Sequence, residues 1–291
     1  MLDQVRRRKL SIPESGIEIA LLDWGGSGPL ALLHHATGYC AAVWGPVAEQ
    51  LSHHYRVIAM DARGHGDSSK PNGADSYRWT QFGRDVVAVA EQLAGEHRDG
   101  RIALGLGHSF GGTSILMASA ERPELFGRSV LVDPIVPPPN LGPSRDASAL
   151  AEGARKRRHL WPNRRAARAK WSKREIFAAW DPRALDLYLA EGFSDRADGQ
   201  VELKCPGVVE AAIFESAHSV DIWSIAKKAR VPTLILWAVR GQFPRIVFEN
   251  LVRQMADAQI RDVDTGHLIP MERPDCVVEA TLDFAVKNPL A

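Results

Sequence analysis

Cysteine is scarce in this sequence. Cys40, Cys205 and Cys276 are the only three among 291 residues, and no two stand in a CxxC spacing. Three thiols cannot form a fully paired disulfide framework, and without clustered ligands a structural zinc is disfavoured, so a reducing cytosol is the expected setting. An excess of one charge is lacking too. Lys plus Arg number 36 against 35 Asp plus Glu, a net +1, which provides no global field for nucleic acid. No apolar run reaches the roughly twenty residues that a bilayer span needs. None follows the cluster Arg6-Arg7-Arg8-Lys9, where a signal peptide would carry one. Glycine (24) and proline (18) are too few and too scattered for a collagenous or low-complexity chain. These absences predict a soluble cytoplasmic protein with neither nucleic acid nor a membrane as partner.

What is present is the composition of a folded enzyme-sized chain: 45% hydrophobic and 24% charged residues. A length of 291 residues lies near the upper limit of one hydrophobic core, so one large domain or a core with an insertion is expected. The charge is unevenly placed. Between Arg145 and Arg183 twelve Lys or Arg face four Asp or Glu, a local +8 inside a host at −7. The proline-rich stretch Asp133-Pro134-Ile135-Val136-Pro137-Pro138-Pro139 and the break Lys204-Cys205-Pro206-Gly207 flank this segment. The pattern before it resumes after it. The reading is a core of residues 1–136 and 225–291 interrupted by a mainly helical insertion, residues 137–224.

Within the core, short aliphatic runs alternate with helical spacing. Ile17 to Leu22, Leu30 to Leu33, Arg56 to Met60, Arg101 to Leu106, Ser129 to Val132, Thr233 to Trp237 and Gln259 to Val263 read as strands. Thr80 to Leu93 reads as a helix with Phe82, Val86, Val89 and Leu93 on one stripe; Pro274 to Val286 reads as a closing helix. Strands alternating with helices in this way predict an α/β fold, a mostly parallel sheet covered on both faces.

The sharpest signal is Gly107-His108-Ser109-Phe110-Gly111, a G-x-S-x-G between a predicted strand and a predicted helix. In that context the serine stands on a strained turn above the sheet. The glycines let strand and helix backbones approach where a Cβ would clash. The helix N-terminus favours a developing oxyanion, and the Phe110 N–H is one natural donor.

These residues resemble the α/β-hydrolase superfamily, and the resemblance covers essentially the whole chain. Gly107 to Gly111 is similar to the family's nucleophile elbow, and Asp61-Ala62-Arg63-Gly64-His65-Gly66-Asp67-Ser68 to its D-x-R-G-x-G-x-S loop. His35-Ala36-Thr37-Gly38 resembles the H-G-x-x segment, and Gly266-His267-Leu268-Ile269-Pro270-Met271-Glu272 the G-H-x-x-x-x-E element. The resemblance implies an eight-stranded sheet with a helical cap inserted after the sixth strand. It implies Ser109 as nucleophile, His267 as base, and the Thr37 amide as second oxyanion donor beside Phe110. The other nine histidines read as structural, with His34 and His35 bracing the oxyanion loop; His35 is also retained as a candidate substrate contact.

The acid departs from the commonest family pattern. Trp237-Ala238-Val239-Arg240-Gly241-Gln242-Phe243-Pro244 stands where G-x-x-D-x-x-x-P is expected, and it holds no carboxylate. The family's other arrangement places the acid after the sixth strand, where Asp133 follows Ser109 by twenty-four residues. Asp133 is therefore the expected acid, with Asp264 the competitor and Glu249 a remoter one.

A serine at the elbow points to acyl transfer through an acyl-enzyme, whereas dehalogenases and epoxide hydrolases of this fold place Asp there. The expected substrates are small-molecule carboxylic esters, lactones or thioesters. A carbon–carbon bond hydrolase and a low-turnover ligand receptor are the alternatives. Trp161, Trp180, Phe214 and Trp223 of the insertion are candidate walls of an apolar pocket, against the plainer reading that they pack the insertion itself. Its arginines suggest one that holds a substrate carboxylate. No cofactor and no metal are expected. A homodimer is the one protein partner considered.

Overall fold

A computed structural model describes residues 4–137 and 145–290. The first half builds β1 (Arg6–Ile12), β2 (Ile17–Gly25), β3 (Leu30–His34), α1 (Gly45–Leu51), β4 (Arg56–Met60), α2 (Trp79–Glu96), β5 (Leu104–His108), α3 (Phe110–Glu121) and β6 (Ser129–Val132). There follow α4 (Arg145–Lys156), β7 (Leu160–Trp161), α5 (Arg164–Trp171), α6 (Glu175–Ala178), α7 (Pro182–Glu191), β8 (Phe193–Asp195), β9 (Val201–Leu203), α8 (Gly207–Ser216) and α9 (Ile222–Ala226). The chain closes with β10 (Thr233–Ala238), α10 (Arg245–Val252), β11 (Ala258–Val263), α11 (Ile269–Glu272) and α12 (Pro274–Lys287).

Eight strands form one sheet in the order β1-β2-β4-β3-β5-β6-β10-β11. β1–β2 and β2–β4 are antiparallel, and the remaining pairs are parallel. The fold is thus the expected mostly parallel, doubly covered α/β sheet. Every residue of β3 is buried, as a strand covered on both faces requires. Its side chains alternate: Ala31 and Leu33 share a core with Trp44, Val47 and Leu51, whereas Leu30 and Leu32 share another with Phe82, Val86 and Ile115. The stripe of α2 is buried as its spacing predicts.

Two departures from the sequence reading have clear causes. β1 lies in the charged run that the sequence reading assigned to no element: Leu10 and Ile12 alone are buried in it. An edge strand tolerates Arg6, Arg7 and Lys9 because its outer flank needs no apolar partner and charge there discourages edge-to-edge pairing. The segment between β6 and β10 is mainly helical, as its pattern reads, but it also holds strands that the reading did not expect. It carries a second sheet, β7-β9-β8, whose strands of two or three residues are too short to show a period. No helix among the described residues is long and apolar enough to cross a membrane.

Candidate active site

The loops that follow β3, β5, β6 and β11 leave the carboxyl ends of parallel strands, where open α/β sheets gather ligands. Each supplies one predicted residue: Thr37, Ser109, Asp133 and His267. Ser109 joins β5 to α3 at φ 57° and ψ −123°, outside the regions an L-residue prefers. The turn is that tight because strand and helix nearly touch. A Cβ on Gly107 would lie 2.4 Å from the Gly111 carbonyl oxygen, and one on Gly111 would lie 2.4 Å from that of His34.

Asp133 is the other non-glycine residue at positive φ among those described, at 43°. Its N–H donates to Leu236 O (2.7 Å) and its Oδ1 accepts from the Ala238 N–H (3.3 Å), which ties the end of β6 to β10. His267 stands between β11 and α11. Its loop is closed by the Glu272 carboxylate, which accepts the Gly266 N–H (2.9 Å) and the Thr265 hydroxyl. These constraints bring three side chains into line. His267 Nδ1 lies 2.5 Å from Asp133 Oδ2, and His267 Nε2 lies 2.9 Å from Ser109 Oγ. Asp133 is fully buried and the His267 side chain is 20% exposed. By contrast, Asp264 is 77% exposed and paired with Arg240, and Glu249 is paired with Arg245.

The loop after β3 is fastened by histidines. The His35 Nδ1–H donates to Ala36 O (2.8 Å), which also accepts the Tyr39 N–H (3.3 Å). His35 Nε2 accepts the Ala62 N–H, and His65 Nε2 accepts the Gly38 N–H, both at 2.9 Å. With the Ala36 carbonyl so occupied, the Thr37 N–H at the other end of that peptide plane has no acceptor among the described residues. The Phe110 N–H at the start of α3 has none either. His35 is therefore a brace. Its complete burial and occupied ring nitrogens correct its placement among the substrate contacts.

Other candidates are sorted by packing. Trp180 lies tilted against Tyr39 (centroids 5.5 Å apart), next to the Thr37 loop. Trp161 packs edge-on to Trp171 under the Arg158 guanidinium, and Phe214 packs on Ala151, Ala154 and Ala211. Trp223 donates its indole N–H to Pro137 O (2.9 Å). Phe243, which the sequence reading passed over, faces the His267 ring edge-on at 6.4 Å. His108 has the structural role expected of it. It donates Nε2–H to His267 O (2.9 Å) and so holds the backbone of the imidazole. Much of the basic run is paired: Arg155 with Glu215, Arg157 with Glu210, Arg164 with Asp195 and Arg183 with Asp181. No group of His, Cys, Asp and Glu suited to a metal ion occurs among the described residues.

The braces have a cost in acid. Burial pushes His35 down to about 4. Burial, aided by His35, pushes His34 down to about 3. His65 and His108 are held well below the usual range, mainly by burial. Folded, these rings stay neutral; unfolded, each takes a proton near pH 6.5. Unfolding therefore binds protons below that pH, so stability is complete above about 6.5 and falls as pH drops toward about 4. The expected slope is about 1.4 kcal/mol per pH unit for each such histidine. Equilibrium urea unfolding between about pH 7 and 4.5 checks it, and His35→Gln should reduce the slope by about one proton. A flat profile over that window would refute the assignment of neutral braces.

The sequence model described as the alpha/beta hydrolase family matches residues 31–280. The N-formylmaleamate deformylase of Pseudomonas putida is 31% identical over 281 residues, covering 94% of this chain and 95% of that protein. The lipase LipV of Mycobacterium tuberculosis is 29% identical over 270 residues, 89% of this chain and 94% of its own length. The crystal structure of E-2-(acetamidomethylene)succinate hydrolase superposes with a TM-score of 0.82 at 23% identity, over 97% of this chain and 99% of that one.

Proposed function

Because this chain belongs to the alpha/beta hydrolase family, we propose that it is a serine hydrolase cleaving carboxylic esters, lactones or thioesters through an acyl-enzyme on Ser109. The observation that carries the reading is the unbroken relay from Ser109 Oγ to His267 Nε2 and from His267 Nδ1 to Asp133 Oδ2. A serine hydroxyl is a weak nucleophile, so a base must take its proton as the carbonyl is attacked. His267 does so at Nε2, while Asp133 accepts Nδ1–H and steadies the imidazolium. The oxyanion forms against the Thr37 and Phe110 amides, which have no acceptor among the described residues and are free to donate. Collapse breaks the bond to the alkoxide, which leaves with the proton from His267. Water then gives its proton to the same nitrogen, adds to the acyl carbon, and frees the carboxylic acid and Ser109. No cofactor enters these steps.

A second reading keeps the machinery and changes the bond: a small N-acyl amide bearing a carboxylate. The 31% relationship to a protein named for deformylation of N-formylmaleamate favours it. The experiment joins both. A fluorophosphonate probe should label Ser109 once per chain. A panel of graded p-nitrophenyl esters, lactones, thioesters and N-formyl amido acids then ranks kcat/KM. Esters ahead of amides support the first reading; amido acids ahead by tenfold or more replace it with the second. Folded protein that takes no label overturns both and favours a ligand receptor.

A further inference from the structure

Tyr188, Arg157 and Glu210 come from three separate elements of the inserted segment, yet they converge on one peptide of the Thr37 loop. Arg157, just past α4, donates Nη1–H to Glu210 Oε2 on α8 (2.8 Å) and Nη2–H to the Tyr188 hydroxyl on α7 (2.6 Å). That hydroxyl donates onward to Gly38 O at 2.8 Å. Gly38 is thus gripped from both sides, since its N–H is held by His65 Nε2. Nothing but glycine fits there: φ is +82°, and a Cβ would stand 2.6 Å from Glu210 Oε1. Tyr188 is 1% exposed and stacked on Trp171 (5.4 Å), with Tyr39 edge-on at 5.2 Å. Burial raises the phenol, which keeps it a donor.

Without Tyr188 the core holds the Gly38–Tyr39 peptide only at its far end, through the long Tyr39 N–H bond to Ala36 O (3.3 Å), and gives the Gly38 carbonyl no donor of its own. In the four-residue turn Ala36–Tyr39, rotation of that peptide swings its neighbours, including the Thr37 amide. We infer that Tyr188, held by the Arg157–Glu210 pair, is a positioning residue that locks the oxyanion loop and makes its competence depend on a properly seated insertion. This rests on the hydrolase reading above.

The pair makes the dependence directional. Arg157 and Glu210 are only 25% and 12% exposed as side chains, so separating them strands charge in a poorly hydrated place. When α4, α7 and α8 sit together, the hydroxyl has one orientation. When they part, it loses its orienting donor. Electrostatic stabilisation of an oxyanion depends on donors already fixed before charge develops, so loosening the loop acts on kcat more than on KM.

The test is Tyr188→Phe, which keeps the ring and removes the hydroxyl. The expected result is a kcat lower by about tenfold, short of the roughly 10²–10³ lost with an oxyanion donor itself. KM and the pH midpoint of kcat/KM stay near wild type, and fluorophosphonate labelling slows by the same factor as kcat. Arg157→Met gives a smaller loss, and the double variant is no slower than Tyr188→Phe alone, because the two act through one hydrogen-bonded chain. Wild-type kcat and labelling rate in Tyr188→Phe, or a loss confined to KM, overturn the inference. Should Tyr188→Phe not fold, Arg157→Met decides by the same two rates, and a wild-type result there overturns it equally. Folded wild type that resists the probe sinks the hydrolase reading instead; labelled wild type with an equally reactive Tyr188→Phe sinks this inference alone.

Discussion

Ser109→Ala is expected to lower kcat by about 10⁶, the scale of losing a nucleophile whose partners cannot act without it, and to leave the fold intact. The serine adds one hydroxyl to the turn, and its removal costs the hydrogen bond to His267 Nε2. Nothing else in the site changes shape. Ser109→Gly should be as inactive, but more stable than Ser109→Ala. Both lose the same hydrogen bond, so their difference isolates the backbone. At φ 57° and ψ −123° an alanine keeps the Cβ strain, worth about 1–3 kcal/mol at such a position. Glycine relieves that strain and gives back about 0.5–1 kcal/mol through a freer unfolded chain. A net gain of about 1 kcal/mol for the glycine variant follows. Turnover on the best ester of the panel and urea midpoints of the two variants measure both halves. Equal midpoints would show that the turn stores no strain; retained turnover in either variant would remove Ser109 from the mechanism.

Strain of this kind was readable before any coordinates, because a G-x-S-x-G between strand and helix has few other ways to fit. The reading extended to Asp133 and His267, which lie 24 and 158 residues beyond Ser109 yet follow strands of one parallel sheet. Parallel topology turns remote positions into neighbours at one edge, but it was the resemblance to the family's G-H-x-x-x-x-E element and to its acid after the sixth strand that named these two. What stayed illegible has a common origin. β1 hides in Arg6-Arg7-Arg8-Lys9 because an edge strand can be charged, and β7, β8 and β9 hide because two or three residues show no period. The bracing by His35 was expected from its place in the oxyanion loop, but nothing in the sequence names the partners of His108, His35 and His65. Their task is to bond backbone atoms up to 159 residues away, and sequence records side chains, not the carbonyls they meet. The same holds for Tyr188, an aromatic in a helix whose ring reads as packing and whose hydroxyl reaches Gly38. The basic run shows the converse: Asp195 in β8 and Glu210 and Glu215 in α8, which pair three of its arginines, lie outside the window in which the charge was counted.

The acid gives the sharpest test of that placement. Asp133→Asn should lower kcat by about 10⁴ while Asp264→Asn and Glu249→Gln stay near wild type. The asparagine is nearly the same shape, tolerates positive φ, and keeps an oxygen for the Ala238 N–H that now bonds Oδ1. Its NH₂ then faces His267 Nδ1 in place of Oδ2. An amide donor there stabilises the tautomer with the proton on Nε2, the nitrogen that must accept from Ser109. The hydroxyl is left without a base, and no carboxylate compensates the imidazolium as attack proceeds. Stability should change little, because removing the charge from a fully buried carboxylate offsets the weaker bond to the imidazole. The controls probe geometry: Asp264 is exposed and tied to Arg240, so its charge does not reach the ring. Initial rates for the three variants, with melting temperatures alongside, decide the matter. A large loss in Asp264→Asn with Asp133→Asn active would move the acid to the other side of the β11 loop, and would require a His267 rotamer different from the one that spans Asp133 and Ser109.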